Sequence, residues 1–165
     1  KETYFEYFKE IITLLQSIPN VHVTIKTHPR ERYHQEYDRF AQLFKNVSTN
    51  HQKGEDNLYL LISKSNLLVN FYGSSTVLEA SILNKPSLTI DLPKLAQNFY
   101  QDYDPSYRIN YQKDSARIKE IILGMLGNQH VLEEKRRKLV KEWCFQVDGK
   151  THQRVVDVIE KLSAQ

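Results

Sequence analysis

The stretch that decides the fold runs Leu67-Leu68-Val69-Asn70-Phe71-Tyr72-Gly73-Ser74-Ser75-Thr76-Val77-Leu78-Glu79-Ala80. Its near-continuous apolar start predicts a strand over 67–71 in the interior of a sheet. The hydroxyl residues after the glycine predict a helix over 74–83. A tight turn between a strand and a helix directs free backbone N–H groups and the positive end of the helix dipole at one point. The stretch therefore predicts a phosphate or pyrophosphate seat.

Strands and helices alternate on both sides of this stretch. Short segments that contain β-branched or aromatic residues predict strands over 21–26, 47–49, 87–90 and 107–111, with helical periodicity between most of them. The chain opens on a helical pattern over 3–18, and its last third is helical. This order predicts an α/β fold: a Rossmann-like parallel sheet with helices on both faces and a helical C-terminus.

The bulk composition limits the classes of function. The 165 residues are 40% hydrophobic with a net charge of +3, which fits one globular domain and falls short of a nucleic-acid footprint. The single cysteine, Cys144, excludes an internal disulfide and favours a reducing compartment. No apolar run reaches membrane-spanning length. We therefore expect a cytoplasmic protein, with contact at the inner face of a membrane as an alternative.

Gly73 and the residues after it form the first candidate site. Gly73 allows close backbone approach, and Ser74, Ser75 and Thr76 add hydroxyls to the N–H donors. Helix capping by Ser74 or Ser75 is the simpler explanation, but it does not account for three hydroxyl residues in a row. We predict that this turn binds an anion and that Glu79, about one turn further on, faces the same cleft and accepts from a sugar hydroxyl.

A second candidate site lies at the end of the predicted strand 21–26. Pro29 holds His28 in an extended conformation, so that His28 projects from the carboxyl edge of the sheet, where a histidine donates to phosphates. A loop histidine that only caps a neighbouring helix is about equally good as an explanation. Lys26 and Arg30 bias the neighbourhood towards anions and favour the functional one.

Three further patterns predict no site of their own. The six histidines lack the spacing of metal ligands, so we predict no metal. The basic residues of 133–138 are flanked by acids and spread around a helix, which predicts a solvated face rather than contact with nucleic acid. The turn at 148–150, followed by Arg154 in the last helix, is explained mostly by capping.

In their order along the chain, four elements resemble the C-terminal, donor-binding domain of GT-B-fold glycosyltransferases. The resemblance is strongest to the capsule, surface-carbohydrate and teichoic-acid enzymes that include the CDP-glycerol glycerophosphotransferases. The four elements are His28-Pro29, Ser74-Ser75-Thr76, Glu79 with Asn84-Lys85-Pro86, and Asp148-Gly149-Lys150 with Arg154.

The resemblance implies a nucleotide-activated donor. Its diphosphate would lie on the N–H groups around 74–76 and touch His28, Glu79 would hold the ribose, and neither a metal nor a cofactor would be required. The sequence departs from the family pattern because it lacks the N-terminal Rossmann domain and the strand that opens the C-terminal one. We therefore expect a gap or a re-paired sheet. The nucleobase of the donor is expected at the second predicted strand, near Val47, Ser48 and Thr49.

We thus expect a single Rossmann-like domain over 1–165, the nucleotide-sugar-binding half of a glycosyltransferase of bacterial surface polysaccharide. Turnover would need the N-terminal domain, in cis or in trans. Two alternatives stay open: a CDP-glycerol or CDP-ribitol polyol-phosphate transferase, and a non-catalytic interaction module on the same fold. Preference for cytidine over uridine nucleotides would separate the two enzymes.

Overall fold

A computed structural model describes residues 2–28, 30, 32–51, 55–71, 74–93, 106–144 and 146–163. Helices and strands alternate through most of these residues, and the C-terminal part is helical, which confirms the predicted α/β class. The helices are α1 Glu2–Gln16, α2 His34–Ala41, α3 Glu55–Lys64, α4 Thr76–Ile82, α5 Tyr111–Asp114, α6 Ile118–Gly127, α7 Glu133–Cys144 and α8 Thr151–Ser163. The strands are β1 Val23–Lys26, β2 Val47–Asn50, β3 Leu68–Phe71, β4 Ser87–Asp91 and β5 Tyr107–Asn110.

All strand pairs in this part of the chain are parallel. Strands β1 and β2 form a two-stranded sheet, called sheet A, in which Val23 pairs with Val47. Strands β3, β4 and β5 form a three-stranded sheet, called sheet B, in that order. In sheet B, Asn70, Thr89 and Arg108 share one register position across the three strands.

No strand pairing joins the two sheets in the described residues; the sequence led us to expect either a gap or a re-paired sheet. Val23 N–H donates to the carbonyl before β2 at 2.8 Å, so the N–H groups of Thr24 and Lys26 face the other, open edge of β1. Leu68 N–H donates towards β4, and the N–H of Val69 faces the open edge of β3 by the same alternation. Within the described residues, each sheet therefore presents one unpaired edge on its β1 or β3 side.

Helix α1 contributes the apolar face that joins the two sheets into one core. Its buried residues recur at helical spacing and pack with Ile25 of sheet A and with Leu88 and Ile90 of sheet B. Full burial of such a side chain stabilises the fold by about 1.5–3 kcal/mol. The buried α1 residues are Phe8, Ile11, Ile12 and Leu15.

Helix α1 also shows that both sheets point the same way. At its start, the Tyr4 ring lies 6.0 Å from that of Phe71, the last residue of β3. At its end, the Asn46 side chain, which precedes β2, donates to the Gln16 carbonyl at 2.9 Å. The strands therefore all run from the end of α1 towards its start. Their carboxyl ends lie at one side of the molecule, called the carboxyl edge.

None of the helices in the described residues combines the length and the apolar character needed to cross a bilayer.

Candidate functional site

The turn after β3 stands at the carboxyl edge, where ligands of open α/β sheets bind. Gly73 lies outside the described residues. The Ser74 hydroxyl accepts a hydrogen bond from Thr76 N–H at 3.3 Å, so Ser74 does cap the chain entering α4. Ser75 precedes the helix, is exposed and makes no side-chain capping bond. Capping therefore explains only one of the three hydroxyls that the sequence singled out.

Glu79 lies in the first turn of α4, as the sequence predicted, and is partly buried. Val77 and Ala80 bury the opposite side of this short helix, with Ala80 fully enclosed. An acid in a first helical turn is also favoured by the helix dipole. The position of Glu79 thus agrees with both a sugar contact and a purely helical role.

His28 projects from the end of β1 and is exposed, as expected. Its Nδ1 accepts a hydrogen bond from Arg30 N–H at 3.1 Å. In the neutral imidazole the proton then sits on Nε2, and the exposed ring offers this N–H as a donor. Lys26 donates instead to the Thr27 carbonyl at 3.1 Å, while the Arg30 side chain is exposed. The local loop bond therefore fixes the tautomer that suits a phosphate contact.

The three residues predicted to hold the base have other contacts. Val47 is buried in the core at the start of β2. The Ser48 hydroxyl lies 3.0 Å from Nε2 of His22, and the Thr49 hydroxyl donates to Asp38. Of the three, Thr49 stands nearest to the carboxyl end of its strand. The contact between these residues and the nucleobase stays a prediction.

A buried polar face on sheet B was not expected from the sequence. The Asn70 amide donates to the Thr89 hydroxyl at 3.0 Å, and Thr89 lies 2.6 Å from the Ser106 hydroxyl. At the end of this face, Arg108 donates twice to Asp91, at 2.7 Å in each bond. The available signal was the alternation of Ser87-Leu88-Thr89-Ile90-Asp91, which places its polar residues on one face.

The turn at 148–150, the last of the four elements of the resemblance, forms its hydrogen bonds locally with Arg154. Arg154 forks onto Asp148 at 2.9 and 3.0 Å, and Asp148 also accepts from Lys150 N–H at 3.0 Å. The Arg154 hydrogen bonds lower the pKa of Asp148 to about 2. Gly149 has φ of 73°, which suits glycine. Local turn formation accounts for these contacts, in agreement with the simpler explanation.

The structure thus brings the Ser74–Thr76 turn and His28 to the same edge of the fold, one from each sheet. The Asp148 turn forms a separate, locally bonded unit before α8. Within the described residues, no three His, Cys, Asp or Glu side chains are arranged to hold a metal ion.

The comparison with protein families adds to this geometry. A model described as CDP-glycerol:poly(glycerophosphate) glycerophosphotransferase matches residues 8–161. The chain belongs to this family. The match covers both sheets and every site residue that the sequence predicted. None of the curated proteins compared with the chain matches it.

Membership in this family confirms the narrower part of the resemblance, the likeness to the CDP-glycerol glycerophosphotransferases. The wider GT-B assignment and the link to capsule synthesis stay predictions.

Proposed function

We propose that this chain is the donor-binding part of a transferase that takes glycerol phosphate, or a related polyol phosphate, from a CDP-activated donor during synthesis of a bacterial surface polymer. The family match over residues 8–161 carries the proposal. It moves the preference from glycosyl transfer, which the sequence suggested first, to the CDP-alcohol alternative.

The proposed reaction is a phosphoryl-group substitution. An acceptor hydroxyl oxygen attacks the phosphorus that bears the glycerol, and a new P–O bond forms. The P–O bond to CMP breaks, CMP leaves with the electron pair, and a base takes the acceptor proton. Negative charge grows on the leaving phosphate, so catalysis depends on donors positioned there in advance.

The carboxyl edge supplies donors of this kind. We assign the donor diphosphate to Gly73 and the Ser74–Thr76 turn, with the exposed Ser75 hydroxyl and His28 Nε2–H as donors. Arg30 adds positive charge to the same loop as His28. In this assignment Glu79 holds ribose hydroxyls. The cytosine base of the donor lies near Thr49 at the end of β2. The acceptor and the general base come from an N-terminal domain in cis or in trans.

Calorimetric titration with CDP-glycerol and with UDP-glucose tests this proposal. We expect saturable binding of CDP-glycerol and weaker binding of UDP-glucose. His28→Ala should weaken CDP-glycerol binding about 10-fold or more, because a hydrogen bond to a charged group contributes about 1.5–3 kcal/mol. His152→Ala, which removes an exposed histidine of α8, is the matched control and should bind like the unchanged chain.

Three results would change the proposal. Tighter binding of UDP-glucose would favour glycosyl transfer, in which a nucleoside diphosphate leaves instead of CMP. Failure of both nucleotides to bind would support the non-catalytic interaction module. Equal affinity of the His28 and His152 variants would remove His28 from the site.

A further inference from the structure

A cluster of polar side chains outside the proposed donor contacts lies at the carboxyl end of sheet A. Thr27 follows β1, His34 begins α2 and His51 follows β2. The two Nδ1 atoms of the histidines lie 3.0 Å apart. The Thr27 hydroxyl lies 2.9 Å from Nδ1 of His51 and 3.3 Å from Nδ1 of His34. Two imidazole nitrogens and one hydroxyl oxygen therefore form a small triangle that joins three segments of the chain.

Asp38 determines which nitrogen of His51 carries the proton. Its carboxylate accepts from the Thr49 hydroxyl and lies 2.7 Å from Nε2 of His51. A carboxylate offers only acceptor oxygens, so its partner on the His51 ring is an N–H donor. His51 must then donate through Nε2, and its Nδ1 presents a lone pair to His34.

This arrangement has the form of a metal ligand with its supporting carboxylate. A histidine that binds a metal through one nitrogen almost always donates its other N–H to a carboxylate, carbonyl or water. Zinc–nitrogen distances of about 2.0–2.1 Å place two imidazole nitrogens of a tetrahedral site about 3.3 Å apart. The observed 3.0 Å between the His34 and His51 nitrogens needs only a small adjustment.

We propose that His34 and His51 bind one divalent transition-metal ion of the zinc or cobalt class through their Nδ1 atoms, with Asp38 orienting His51. Water and the neighbouring Thr27 hydroxyl complete the coordination. The site has two protein nitrogen ligands, fewer than the three protein ligands of a catalytic zinc site. The alternative to a metal ion is a hydrogen bond in which Nδ1–H of His34 donates to Nδ1 of His51.

The bound ion would cross-link the start of α2 to the end of β2. Because binding to the folded state alone stabilises a protein by mass action, a saturating ion should raise the unfolding temperature. The metal ligands are not donor-site residues, but the sites are neighbours: Asp38 accepts from the Thr49 hydroxyl, and Thr49 lies beside the proposed nucleobase position.

The experiment is titration of the metal-free chain with Zn²⁺ and, for its visible absorption, with Co²⁺. We expect one saturable site per chain and a higher unfolding temperature. His34→Gln and His51→Gln should each abolish the site, and Asp38→Asn should weaken it about 10- to 100-fold. His130→Gln is the control, since His130 is an exposed histidine that also lies beside a carboxylate, that of Glu133.

A second readout does not depend on whether the variants fold. In the unchanged chain, Zn²⁺ should shift the ¹⁵N resonances of Nδ1 in His34 and His51 and leave those of His130 in place. The proposal is overturned by the absence of saturable binding, by unshifted Nδ1 resonances, or by a site that survives both substitutions and is lost with His130.

Discussion

Sheets A and B share one core and one direction but are held in different ways. In sheet B, Leu88, Thr89 and Ile90 of β4 are fully enclosed, so both faces of its central strand are covered. In sheet A, Ile25 is buried while Thr24 beside it is exposed. At its carboxyl end sheet A relies on side-chain hydrogen bonds around Asp38. The central strand of sheet B is therefore held by packing on both faces, and the carboxyl end of sheet A by a polar network.

The largest expected effect follows from this difference in packing. Ile90→Ala should lower the free energy of unfolding by about 3–5 kcal/mol, because the substitution would leave a cavity enclosed on all sides. Ile25→Ala, the same substitution in sheet A, should cost less, because its strand has an open edge and a more accessible face. Urea unfolding of both variants measures the difference, and an equal or larger loss for Ile25→Ala would remove the contrast.

The next effect concerns α7, which packs on α4, the helix between β3 and β4. The Arg136 side chain is 1% exposed and donates to Asn84 Oδ1 and to the Gln129 carbonyl, each at 3.2 Å, and to the Val131 carbonyl. Arg136→Met should cost about 2–3 kcal/mol, since it removes all the hydrogen bonds of a buried charged group.

Arg137→Met is the matched control for that substitution. Arg137 is on the same helix, and its side chain is 74% exposed and pairs with Glu133. The loss should be within about 0–1 kcal/mol, as for other surface pairs. Similar losses for the two variants would mean that the buried contacts of Arg136 do not hold α7 in place.

The polar network of sheet A should show a smaller, pH-dependent effect. Asp38→Asn should cost about 1 kcal/mol at neutral pH, a value discounted for the partial exposure of the carboxylate. Its pKa is lowered in the folded chain, first by the Thr49 hydrogen bond and then by His51. The contribution is therefore present above the ordinary pKa and is lost as the pH falls through the lowered one. Urea unfolding should show the two proteins converging in acid; a constant difference would contradict the account.

Tyr111, which follows β5, should give the smallest effect. Its hydroxyl donates to Glu10 of α1, and burial followed by this bond raises its pKa to about 12. Because the neutral form is favoured, its contribution is present below the ordinary tyrosine pKa of about 10 and is lost as the pH rises from there to about 12. Tyr111→Phe should remove this alkaline loss, and an unchanged alkaline profile would exclude the bond as its cause.

The sequence predicts the parts of the fold that depend on local pattern. A near-continuous apolar run located β3, because interior strands of parallel sheets read as such runs. Alternation of apolar and polar residues located β1 and β4. The cluster around His51 could not be predicted in this way, because its members come from three elements that meet only through the β1–β2 pairing. The visible signal was the spacing of His34 and Asp38, four residues apart on one helix face.

The charged run at 133–138 shows the same limit. The sequence predicts a solvated face, and Lys135, Arg137 and Lys138 are indeed exposed. Arg136 is an exception, because it shares the buried side of α7 with Leu139. The apolar residue three positions later was the only local sign that this arginine faces the core.

In the proposed function, the carboxyl edge binds a CDP-activated alcohol between the turn after β3 and the loop after β1. Backbone amide NMR of the chain titrated with CDP-glycerol tests it most directly. We expect saturable shifts of the amide resonances of Ser74, Ser75 and His28, with smaller shifts when UDP-glucose is used. Unchanged amides at these three residues, while CDP-glycerol binds elsewhere or not at all, would contradict it.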